Sequence, residues 1–144
     1  MPIDNSRYLR IKCRVFNRRR LIWVGPLTVM SAVAAVRVIQ AGTMVAFGMP
    51  PAGEEPAALT AFFVTIAVFV FAIVATEAPA PEPTFRRIAL VCLLLSFLPD
   101  VAIGQFNLIK GAGWALAWIF IAMHVAAWFV TVEMLTRLTR VGAK

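Results

Sequence analysis

The chain reads as an all-α protein, a four-helix transmembrane bundle with both termini in the cytoplasm. Three observations predict this: four long apolar stretches, an extreme composition, and a one-sided distribution of positive charge. The stretches cover residues 21–47, 57–76, 85–103 and 113–135, each near or above the roughly 20 residues an α-helix needs to cross about 30 Å of hydrocarbon. The 144 residues are 61% hydrophobic and 15% charged, whereas soluble domains average about 45–50% and 25%. Mean hydropathy is +0.84. Seven basic residues precede the first stretch (Arg7, Arg10, Lys12, Arg14, Arg18, Arg19 and Arg20), Arg86 and Arg87 separate the second from the third, and Arg137, Arg140 and Lys144 follow the fourth. Of the other two, Lys110 falls on the opposite side and Arg37 within a span. The positive-inside rule then puts both termini in the cytoplasm and Glu54 and Glu55 outside. That placement explains the net charge of +7 without nucleic acid as a partner.

Three regions follow: a basic tail over 1–20, a membrane domain over 21–135, and a short basic tail over 136–144. Plotted at 100° per residue, the first tail gathers Arg7, Arg10, Arg14 and Arg18 on one face and Tyr8, Leu9, Val15 and Phe16 on the other. Such a segment either rests on the anionic leaflet as an interfacial helix or stays an unstructured tail that sets topology. The first span runs beyond a 7–15-residue signal-peptide core, so it is expected to remain. Trp23 sits at interfacial depth, and Ser31 and Ala35 offer a small-residue packing face.

Residues 49–56, with three prolines, a glycine and two glutamates, read as a short external loop. The second span carries Phe62, Phe63, Phe69 and Phe71 and no charge before Glu77, so it is expected to be the most lipid-facing. Residues 78–83 hold three prolines and read as the cytoplasmic turn, with the third span starting near Phe85. Pro99 removes a backbone donor from that span and frees the Leu95 carbonyl, which predicts a kink or a broken helix. After a loop over 104–113, Trp114 and Trp128 lie about 21 Å apart along the fourth span, like two aromatic belts. Cys13 and Cys92 fall in the tail and within the third span, so no disulfide is expected.

Chemistry is sparse. The sequence has no CxxC, HExxH, P-loop or GxSxG motif, which removes the stronger catalytic and metal signatures. Three residues within spans need partners: Arg37, Asp100 and His124. Arg37 lies about 24 Å and Asp100 about 20 Å from the cytoplasmic ends of their spans. An isolated charge at a helix centre costs about 2.5–3.5 kcal/mol, so an Arg37–Asp100 pair is expected. It acts either as a lock between the first and third spans or as the mouth of an external cavity, to which Pro99, Ser96 and Gln40 add polar groups. His124, near mid-membrane, reads as a hydrogen-bonded packing residue, a proton-relay partner of Asp100, or an axial haem ligand. One histidine cannot make a bis-histidine site unless two copies share the cofactor, so no cofactor or metal is expected.

Residues 84–103, TFRRIALVCLLLSFLPDVAI, and 123–137, MHVAAWFVTVEMLTR, resemble an uncharacterised family of small bacterial four-helix membrane proteins. The matching pattern is an Arg-led third helix ending in Ser-x-x-Pro-Asp, here Ser96, Pro99 and Asp100, then a Met-His pair whose histidine is His124. The resemblance implies a bacterial origin and a four-span fold. The expected function is that of a non-enzymatic binding or accessory protein in the bacterial inner membrane, meeting the lipid bilayer and either a membrane-protein partner or its own copies. The alternative is a small oligomeric transporter or channel with a polar path through Arg37, Asp100 and His124.

Overall fold

The computed structural model describes residues 18–48, 55–106 and 113–139. The basic tail before Arg18, with its amphipathic reading and Cys13, lies outside the described residues. All elements among the described residues are helices: α1 (Arg18–Phe47), α2 (Glu55–Glu77), α3 (Pro81–Phe106) and α4 (Gly113–Leu138). All four are long and apolar enough to cross a membrane.

Each helix boundary has a local cause. Gly48, at φ 63°, closes α1 in the left-handed conformation, and its N–H reaches the Met44 carbonyl at 3.0 Å, a glycine cap. Glu55 and Pro56 open α2, where a carboxylate suits the positive helix end and proline needs no donor. The turn to α3 is shorter than the proline count suggested. Pro81 starts α3 and Pro83 lies in its first turn, where the missing N–H would have had no helical partner. The non-helical connection is therefore only 78–80. Helical assignment also runs through Pro26 in α1 and Pro99 in α3, so Pro99 does not break the span.

The helices form a four-cornered bundle. α4 packs along both α1 and α3, α2 packs on α1 and less on α3, and α2 and α4 touch across the middle. α1 and α3 occupy opposite corners and make no contact. One end of the bundle carries the start of α1, the 78–80 turn and the end of α4, with Arg19, Arg20, Arg86, Arg87 and Arg137; it is the basic end. The apolar core lies there, built from Val24, Phe71, Val74, Phe85, Val132 and Leu135. Phe71 and Phe85 meet edge to face, 4.8 Å between centroids at 74°, a favoured aromatic geometry. Phe71 thus turns inward, unlike Phe62, Phe63 and Phe69, which are exposed. α3, not α2, buries the smallest share of its span.

Trp23, Leu27, Val38, Phe63, Leu98 and Trp118 are all more than half exposed. An apolar exterior of this kind fits helices long and apolar enough to cross a membrane.

Candidate functional site

The polar residues of the spans cluster away from the apolar core. Asp100 lies nineteen residues from the start of α3, about 28 Å from the basic end, and His124 lies fourteen residues from the end of α4, about 21 Å. The helices are antiparallel, and Cα–Cβ bonds tilt toward each helix N-terminus. The aspartate therefore leans toward the basic end and the histidine away from it, which closes the gap. His124 Nδ1 stands 3.0 Å from Asp100 Oδ2 and 2.9 Å from the Phe120 carbonyl one turn earlier.

Both neighbours of Nδ1 are acceptors, so a proton on this nitrogen would serve either of them. The Asp100 oxygen lies at ion-pair distance from the ring. Asp100 is 4% exposed, while 41% of the His124 side chain is accessible. The pair is a carboxylate sealed in the bundle behind an imidazole that forms part of its surface.

Among the described residues, the basic side chain within ion-pair distance of Asp100 is His124 and not Arg37. Matched depth suggested the arginine, but depth leaves the azimuth open. Arg37 is on α1 and Asp100 on α3, the two corners that do not touch, while α4 adjoins both. Arg37 Nη1 instead donates to Gln40 Oε1 at 3.4 Å. Gln40 is buried at 6% exposure, and its Nε2 has no acceptor. Ser96 donates to the Leu93 carbonyl of its own helix at 2.7 Å and does not join Asp100. Of the five polar residues read from sequence, two pairs form: Asp100–His124 and Arg37–Gln40.

Gly104, one turn beyond Asp100, faces the start of α4. A Cβ there would fall 2.7 Å from Trp114 Cε3, so the indole lies flat against backbone that only glycine exposes. This contact brings α3 and α4 together next to the pair.

A second polar cluster at the basic end escaped the sequence reading. Glu133 of α4 takes Arg86 of α3 at 3.4 Å and also pairs with Arg137 of its own helix. Arg86 reaches Glu82 at 3.5 Å and the Thr136 hydroxyl at 3.3 Å. The signal available was Glu133 itself, an acid inside the last apolar stretch and four residues before Arg137, the spacing of a helical ion pair. Exposure of the arginines and the partly covered glutamate mark this cluster as a clasp between α3 and α4 at the basic end.

Among the described residues, no group of three His, Cys, Asp or Glu side chains is placed to hold a metal, and Cys92 is a free, exposed thiol. No family model, curated protein sequence or solved structure matches the chain.

Proposed function

We propose that the protein is a non-enzymatic binding or accessory protein of the bacterial inner membrane, multi-pass with both termini cytoplasmic, and that its recognition site is the Asp100–His124 pair. The observation that carries this reading is Asp100, a carboxyl group 4% exposed whose one ion-pair contact is a partly exposed imidazole 3.0 Å away. A carboxyl group buried with a single such contact has acceptor sites left over, and an unmet buried acceptor costs about 1–3 kcal/mol and more when charged. A polar donor from a partner helix or a small cationic ligand would remove that cost, so the site gains from association.

The inner architecture favours binding over conduction through one copy. The basic end is filled by apolar side chains, and its buried threonines, Thr28 and Thr136, give their hydroxyl protons to Val24 and Val132 of their own helices. A polar path would have to cross that plug. The placement of the basic residues supports the orientation.

Reconstitution tests the reading. Liposomes holding the purified protein and a pH-sensitive dye should show no proton flux above empty liposomes. In cells, a photo-crosslinking residue at position 101, beside the pair, should give a discrete adduct that Asp100→Asn abolishes. Proton flux removed by Asp100→Asn or His124→Ala would overturn the accessory reading and establish the transporter alternative.

A further inference from the structure

A groove of about 790 Å³ runs between α1 and α2, remote from the Asp100–His124 pair. We infer that this groove holds one acyl chain of an anionic phospholipid, with the lipid phosphate at Arg19. Gly25 on α1 and Ala72 on α2 hollow the interface, and a Cβ at Gly25 would stand 3.1 Å from Val68 Cγ1, so the two helices touch along the floor. Ile22, Met30 and Phe69, all exposed, stand up on either side as walls.

Length identifies the occupant. The lining runs along α1 from Arg19 to Met30, eleven residues or about 16 Å, and one leaflet contributes about half of the roughly 30 Å hydrocarbon core. The groove is therefore one leaflet deep. It begins at a guanidinium in the headgroup layer and ends near mid-membrane, where an acyl chain also ends. Its volume lies within the roughly 300–1,000 Å³ of small-molecule sites.

Chemistry identifies the headgroup. The lining contains one charged residue, the cation Arg19, and no acid, and Arg20 adjoins it in sequence. Thr65, the other polar residue of the lining, has its hydroxyl bonded to the Ala61 carbonyl at 2.7 Å and asks nothing of an occupant. An apolar channel with a cationic mouth suits a phosphate diester with net negative charge better than a zwitterion, whose own ammonium competes for the phosphate. A peptide helix is a poorer fit, at about 10–12 Å across with side chains.

The test uses the full chain in nanodiscs of equimolar phosphatidylglycerol and phosphatidylcholine, with retained lipid counted by native mass spectrometry. The expected result is one tightly held phosphatidylglycerol, preferred over phosphatidylcholine by roughly fivefold for each arginine engaged. Arg19→Gln should reduce the preference by about that factor. Thr65→Phe and Ala72→Phe, both outside the buried core, should each abolish retention of either lipid while circular dichroism and melting temperature stay at wild-type values. Equal retention of the two lipids by the wild type, or full retention by both phenylalanine variants, would overturn the inference. So would a wild-type dimer that Thr65→Phe converts to monomer, because a second copy would then occupy the groove.

Discussion

Replacing His124 by alanine is the sharpest perturbation the bundle offers. Asp100 is 4% exposed, and its one ion-pair contact is the imidazole at 3.0 Å, so His124→Ala strands a buried carboxylate. Breaking a fully buried pair costs about 3–5 kcal/mol, but the His124 side chain is 41% accessible and part of that interaction is screened. The hydrogen bond to the Phe120 carbonyl is lost as well, at about 1 kcal/mol. A destabilisation of about 2–3 kcal/mol is expected for His124→Ala. Asp100→Asn keeps the shape and removes the charge, so it should cost about 1 kcal/mol. The double variant should be milder than the sum, with a coupling above about 0.5 kcal/mol. The assay is reversible unfolding in mixed micelles followed by circular dichroism, with all four proteins measured in one detergent. Arg37→Gln combined with Asp100→Asn forms the control cycle and should be additive, because α1 and α3 do not touch. Additivity in the His124 cycle, or strong coupling in the Arg37 cycle, would refute the geometry.

Leu135 is fully buried, so Leu135→Ala should lower stability by about 2–5 kcal/mol, measured in the same unfolding assay. Gly104→Ala drives a methyl group against the Trp114 ring and should cost about 1–3 kcal/mol, with a changed tryptophan emission spectrum as its signature. Glu133→Gln weakens a clasp whose arginine side chains are 43% and 74% accessible; it should cost no more than about 1 kcal/mol, and less at high salt. Cysteines introduced at positions 56 and 111 should react with an impermeant thiol reagent in intact cells, and native Cys13 only after permeabilisation; labelling of Cys13 in intact cells would invert the proposed topology.

The sequence by itself determined that there are four membrane-length helices and where their polar residues lie in depth. Hydropathy and length are local properties of each span, and the cost of burying a bare backbone in lipid leaves the helix as the structure they take. Proline was harder to read, because its effect depends on register. In the first turn of α3, Pro81 and Pro83 cost no hydrogen bond, so a stretch that looked like turn is helix. What only the tertiary structure decided is azimuth, meaning which helix faces which. Depth alone made Arg37 and Asp100 look like partners, yet the bundle sets them on opposite corners and supplies His124 from the helix between. The same rotation turns Phe71 inward while Phe62, Phe63 and Phe69 face outward, a distinction absent from a span apolar on every side. It also gathers Glu82, Arg86, Glu133 and Arg137 into one clasp and opens the groove between α1 and α2. Each of these results from side chains on different helices meeting, and that meeting is fixed by how four apolar cylinders pack.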